Sequence, residues 1–327
     1  MSAGRLRGAI VSHARVVPVP DVLTVHPDPS TARAQQRALR SGALIRVAHG
    51  SFVVREQWDQ ATVWEQHIAR ATAVQASAPR TVVSHASAVI AHCLPWILPV
   101  PDRVTVLDPA RGTAQRTRFA DKSAGAGRPV GCIRVNGLPV TTLAHTAVDV
   151  ALRYDRGRAL AVADAVLRRG IAGTALESEL ASRGSVRAHR RARQVLELAS
   201  PLSESAGESV TNLVMRDVGC PPAIQQHEFR DSSGPIGRVD FWFPDQGVIV
   251  EFDGLVKYRD PSMRNGRSAE DVVIAEKIRE DRLRALPEVR RVVRPVWHDV
   301  QAGGRLPSML RDAGLPVRRA VRTAPAW

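Results

Sequence analysis

The residues best placed to do chemistry lie between Glu208 and Lys277, where acids recur beside short alternating runs. Gly237–Phe243 alternates, setting Val239, Phe241 and Phe243 on one face and Arg238, Asp240 and Trp242 on the other. Pro244-Asp245-Gln246-Gly247 reads as a turn, and Val248–Asp253 alternates again, with Ile249, Glu251 and Asp253 opposite the apolar face of Val248, Val250 and Phe252. Pairing Phe243 with Val248 across that loop sets Asp240 opposite Glu251, their β-carbons about 5 Å apart on one face. Like charges that close destabilise a hairpin unless something neutralises them, and a divalent cation is the simplest candidate. Such an ion takes one or two carboxylates plus water and phosphate oxygens, so Asp240 and Glu251 are the expected ligands of Mg2+ or Mn2+. Asp253 follows on the same face. Lys257 comes shortly after, where an ammonium would stabilise charge developing during attack on a phosphodiester. The competing reading makes Glu251 and Asp253 a solvated strand face, with Asp253 paired across the hairpin to Arg238.

The elements around these acids leave two roles open. Ser205-x-x-Glu208 is a capping box for a helix over Ser205–Val218, which suffices to explain Glu208, yet an acid at a helix start also reaches a metal held by a neighbouring sheet. Ser268 opens a second helix that runs to Leu286 and stops at Pro287, with Val272, Ala275, Ile278, Leu283 and Leu286 as its expected buried positions. Lys277 lies on the polar side with Glu276, Glu280 and Asp281, as a salt-bridge partner or a phosphate contact. Val289–Arg294 is a further strand, and Trp297-His298-Asp299 begins a closing segment.

Gly207-Glu208-Ser209, Gly237-Arg238-Val239-Asp240-Phe241, Val250-Glu251-Phe252-Asp253-Gly254 with Lys257-Tyr258, and Ala275-Glu276-Lys277-x-Arg279-Glu280-Asp281 together resemble a family. They are similar to the actinobacterial proteins whose C-terminal domain is like the very-short-patch-repair endonucleases of the PD-(D/E)XK superfamily. The resemblance covers residues 200–300. It implies an endonuclease-like fold in which Asp240 and Glu251 hold the metal and Glu208 is the helix-borne acid. Asp253 stands where the superfamily's usual EXK lysine would be, and Lys257 is the available substitute.

Charge divides the chain unevenly. The net charge is +14, and residues 1–200 hold 27 Arg and Lys against 14 Asp and Glu, while residues 201–327 hold 19 against 18. An excess of that kind favours a polyanionic partner such as DNA; an arginine-rich genome would raise it without one. The second explanation has support, because Lys122, Lys257 and Lys277 are the only lysines. Ser30 is placed to cap a helix that runs to Ser41 and stops at Gly42, exposing Arg33, Gln35, Gln36, Arg37 and Arg40. Leu44–Val47 and Phe52–Val54 then read as a hairpin. Helix followed by hairpin is the back half of a winged helix, whose helix enters the major groove.

Residues 58–78 and Ser84–His92 read as helices, and Asp102–Leu107, Gln115–Phe119 and Gly131–Val135 as strands, with a loop over Ala120–Arg128. A helical run over Thr141–Arg153, Arg156–Arg169, Thr174–Ser182 and Val186–Ala199 follows. Leu39-Arg40-Ser41-Gly42-Ala43-Leu44, His49-Gly50-Ser51-Phe52-Val53, Val83-Ser84-His85-Ala86-Ser87-Ala88 and Val140-Thr141 through Asp149-Val150-Ala151 resemble the antitoxin-type regulators of the abortive-infection AbiE class. That resemblance implies an N-terminal winged helix that binds DNA, and it leaves room for a toxin partner.

The expected architecture is α/β with an α+β N-terminal part. It comprises a lead-in and winged-helix-like module over 1–55, a middle α+β and helical region over 56–200, a restriction-endonuclease-like domain over 201–303 and a tail over 304–327. Three cysteines, odd in number and without CxxC spacing, fit a reducing, cytoplasmic setting, and no apolar run is long enough to span a membrane. Two functions remain in view: Mg2+-dependent endonucleolytic cleavage of DNA, and transcriptional regulation by a nuclease-like fold used only to bind.

Overall fold

The structure, a computed structural model, describes residues 9–12, 15–97, 99–125, 127, 130–183, 188–254 and 269–318. Lys257 and Tyr258 lie outside them. The chain forms two compact units, one of residues 1–150 with 181–183, the other of 151–180 with 184–327. The sequence places its divisions at 55, 200 and 303.

The first unit begins with the strands β1 (Ala9–Ser12), β2 (Arg15–Pro18) and β3 (Leu23–Thr24), followed by the helix α1 (Pro29–Arg40). Asp28, and not Ser30, caps α1. Its carboxylate accepts hydrogen bonds from the Thr31 amide at 2.8 Å and from the Ser30 and Thr31 hydroxyls, which hold its pKa down at about 2. Pro29 fills the first helical position, where a missing N–H costs nothing. At the other end Gly42 takes the left-handed conformation that lets the chain turn back.

The hairpin is as expected. β4 (Leu44–Ala48) and β5 (Ser51–Val54) pair Leu44 with Val54 and Ile45 with Val53, and β3 adds to the far side of β5. Elements β1 to β3 precede α1 where a full winged helix would place helices, so the structure bears out the helix and hairpin without the rest of that module.

The expected helix over 58–78 is two helices, α2 (Arg55–Gln60) and α3 (Val63–Ser77), broken by extended Ala61 and a Thr62–Glu65 capping box. β6 (Val82–Val83), α4 (His85–Ala91), β7 (Val104–Asp108), β8 (Gln115–Arg116), β9 (Ala120–Ala124), β10 (Cys132–Val135) and β11 (Leu138–Thr141) follow. Their six-stranded sheet has the order β10-β11-β6-β7-β9-β8. β9 lies in what reads as a loop. Ala-Asp-Lys-Ser-Ala has little strand propensity, and its conformation is imposed by five parallel partners along β7. Ile68, Ala69, Ala73 and Val74 of α3 and Val89 and Ile90 of α4 are buried in the core of this unit. The helix α5 (Leu143–Arg153) straddles the boundary between the units.

The second unit contains α6 (Arg156–Arg168), nearly all of α7 (Gly173–Ala181), α8 (His189–Leu198) and α9 (Ala206–Asp217). The strands β12 (Ile224–Asp231), β13 (Gly234–Phe243) and β14 (Val248–Val250) form an antiparallel run. After α10 (Ala269–Arg284), β15 (Arg291–Val293) joins it parallel to β14. Phe243 pairs with Val248, as the turn requires. Both faces of this sheet are covered, however: Trp242 and Ile249, expected on a polar face, are buried with Val239, Leu283 and Val289.

α10 packs differently from its sequence pattern. Leu283 is buried, but Ala275 is exposed and Ile278 is 56% exposed, with Ile274 beside it at 52%. The arginines of α10, rather than its isoleucines, reach the sheet. The chain closes with α11 (Trp297–Val300) and α12 (Leu306–Asp312). The segment from 304 is not a free tail over its whole length, because Leu306, Leu310 and Leu315 are buried.

Candidate functional site

In the first unit, α1 has no buried residue. Arg33, Arg37 and Arg40 recur at i, i+4 and i+7, so they form one stripe along the helix, and all three are exposed. The opposite side is anchored through Gln35, whose amide donates to the Thr24 carbonyl at 3.0 Å and whose oxygen accepts from the His26 amide at 3.0 Å. Arg46, also exposed, lies over the Phe52 ring on the adjoining hairpin. The stripe is therefore presented outward from a helix fixed to its sheet, as a phosphate contact requires.

In the second unit, Asp240 and Glu251 occupy the next positions of the β13–β14 register, just past the Phe241–Val250 pair. Asp240 Oδ2 accepts a hydrogen bond from the Phe252 amide at 2.7 Å. Glu251, 9% exposed, accepts from Arg279 through both oxygens and from Arg294 at 3.0 Å. Arg294 also binds Glu276 at 2.6 Å and lies 3.5 Å from Glu280. Burial pushes the Glu251 carboxyl upward, against Arg279 and Arg294, which pull it down. Burial also works against the Arg294 charge, but Glu276, Glu251 and Glu280 outweigh it and raise its pKa.

Two further acids have other partners. Ser205 caps α9 by accepting from the Glu208 amide, but the Glu208 carboxylate reaches past the cap to the Glu204 amide at 2.7 Å and to Gln226 Nε2 at 3.0 Å. The Asp253 amide bonds the Pro295 carbonyl at 2.9 Å, and Arg238, its expected partner, pairs with Glu204. Lys277 is exposed on the outer side of α10 with no ion pair among the described residues. Arg279 and Arg294, the partners of Glu251, are side chains of this cluster that the sequence pattern did not single out. Arg279 was visible only as part of the Glu276-Lys277-x-Arg279 pattern.

The acids as arranged do not fit a resident divalent ion. Both oxygens of Glu251 are taken by guanidinium groups and one oxygen of Asp240 by a backbone amide. Among the described residues no three His, Cys, Asp or Glu side chains are grouped to hold a metal. No helix among them is long and apolar enough to cross a membrane.

The middle of the chain also has a recognisable relation. Residues 97–198 match the family of AbiEi antitoxin C-terminal domains. The AbiEi match takes in β7 to β11 and α5 to α8. It supports an AbiE-type antitoxin region, and it does not reach α1 or Glu208, Asp240 and Glu251. The uncharacterized proteins Rv2248 and MT2308 of two Mycobacterium tuberculosis strains are each 37% identical over 130 residues, 39% of this chain and 48% of theirs. The chain thus spans about half the length of the curated relatives it matches. The crystal structure of the RV2827C protein from M. tuberculosis is similar at a TM-score of 0.38 and 16% identity, over 64% of this chain and 83% of that one.

Proposed function

We propose that this chain is a DNA-binding regulator of the antitoxin type, whose second unit uses a nuclease-like fold to bind rather than to cleave. The observation that carries the reading is the outward stripe of Arg33, Arg37 and Arg40 on a helix joined to a hairpin. The AbiEi match over residues 97–198 supports it from a different part of the chain. The stripe neutralises successive phosphates and the hairpin lies against the backbone, so affinity falls steeply with salt. A toxin partner belongs to the same reading. Fluorescence anisotropy with duplex DNA across a salt series tests it: salt-sensitive binding without strand cleavage supports it, and an absence of binding at low salt overturns it.

A second reading is Mg2+- or Mn2+-dependent cleavage, favoured by the adjacency of Asp240 and Glu251 in the β13–β14 register; it requires Arg279 and Arg294 to release Glu251 to the ion. Under that reading Glu208, Asp253 and Lys257 complete the site and Lys277 contacts DNA. Divalent-dependent nicking of supercoiled, linear or mismatched DNA, abolished in Asp240→Asn and slowed in Lys257→Ala, would establish it.

A further inference from the structure

We infer that Arg279 occupies the place a divalent cation would take at Glu251, so that a guanidinium from α10 is the built-in counter-ion of this carboxylate. The inference deepens the binding-only reading of the second unit and is independent of the arginine stripe on α1. A hairpin with two carboxylates in adjoining register positions needs a positive charge on that face. Arg279 supplies it: it meets both oxygens of Glu251, donates to the Arg238 carbonyl at 3.1 Å and lies 3.6 Å from Glu276.

The strand is shaped to let it through. Gly237 sits at φ +140°, and a β-carbon there would come within 3.3 Å of Arg279 Nε. The Gly237-Arg238-Val239-Asp240 motif and the Glu276-Lys277-x-Arg279 motif therefore meet at one contact. Arg294 donates to Glu251 Oε2, which Arg279 also meets, and is itself bound to Glu276, so the clamp closes from two elements. A planar guanidinium satisfies the carboxylate by paired hydrogen bonds and, unlike a hydrated ion, leaves no open coordination position for water or phosphate.

The test is thermal melting of the full chain with EDTA, Mg2+ or Mn2+. Wild type is expected to melt at one temperature in all three. Arg279→Met, which keeps the stem and removes the charge, is expected to melt lower in EDTA and to gain roughly 3–5 °C in about 5 mM Mn2+. Glu251→Gln/Arg279→Met removes both charges and is expected to show no such gain. A comparable Mn2+ gain in wild type overturns the inference whether or not the variants fold. So does an Arg279→Met protein that folds and gains nothing, or one whose gain persists in the double variant. These melts contain no DNA, so their outcome is separate from that of the anisotropy experiment.

Discussion

The ring of Phe252 lies where a β-carbon on Gly207 would have to be. This contact joins the start of α9 to the segment just past β14, and the same ring meets Trp297 edge-on with ring centroids 5.1 Å apart. The neighbouring acids depend on it, because Glu208 follows Gly207 and the Phe252 amide is the donor to Asp240. Gly207→Ala forces the ring or the helix aside and should cost about 1–3 kcal/mol, the usual scale of overpacking. Phe252→Leu in the same chain should recover part of that stability. Urea melts of the three proteins measure it.

Glu251→Gln should destabilise the protein in metal-free buffer. The sequence argument points the other way, since removing one of two opposed acids relieves repulsion. The geometry reverses the sign: the amide leaves Arg279 and Arg294 partly buried with less compensating charge. Breaking a buried ion pair from one side costs about 3 kcal/mol or more. Chemical denaturation in EDTA decides between the two signs.

The contrast shows what was legible. The register of β13 and β14 could be derived because a four-residue turn between two alternating runs permits only one phase, and Gly247 at φ +67° closes it. The counter-ions of Glu251 could not, because they stand 28 and 43 residues away and arrive through tertiary packing. β9 was hidden for the same reason, its extended form being imposed by β7. Ile278 misled because periodicity treats isoleucine as a core residue, whereas α10 turns Arg279 and Arg282 to the sheet. Arg282 holds Asp231 at 2.7 Å. The exposure of Arg33, Arg37 and Arg40 needed only helical spacing, but Gln35, expected exposed with them, is half-buried and bonded to Thr24 and His26.

Replacing Arg33, Arg37 and Arg40 by alanine should weaken DNA binding and lower the salt slope by about 1 for each phosphate no longer neutralised. Gln36→Ala, an exposed uncharged position of the same helix, should leave that slope unchanged. Anisotropy titrations between low and moderate salt measure both quantities, and an unchanged slope in the triple variant would sink the phosphate role.

Asp164 of α6 is 1% exposed, and burial lifts its pKa to about 6, although Ser200 and Ser209 donate to it at 2.8 and 2.7 Å. In the unfolded chain it titrates near 3.8. Below that value both states are protonated; as pH rises from 3.8 to 6 the unfolded state loses its proton first, so folding loses up to about 3 kcal/mol from this group. The stability difference between wild type and Asp164→Asn should therefore shift against wild type over that interval and level off above it.

His67 of α3 has the opposite sign. Burial holds its pKa down to about 4, against an unfolded value of 6.5, and its ring nitrogens contact Ser87 at 2.8 Å and the Pro101 carbonyl at 3.0 Å. Above pH 6.5 both states are neutral. As pH falls toward 4 the unfolded chain takes up the proton first, so stability drops by about 3 kcal/mol. A His67→Gln variant should lack that acid-side drop in denaturant melts between pH 7 and pH 4.

The two units are interleaved along the chain, and this constrains how the protein can be dissected. Residues 181–183 return to the first unit, where Arg183 binds the buried carboxylate of Asp149 at 3.0 Å. A truncation after residue 150 would strip that carboxylate of its guanidinium, while one after residue 200 would sever α6 to α8 from α9 and the sheet that follows. Neither unit is a portable cassette bounded by one cut. Fragments that lose activity would report the severed packing before they reported which unit holds the function.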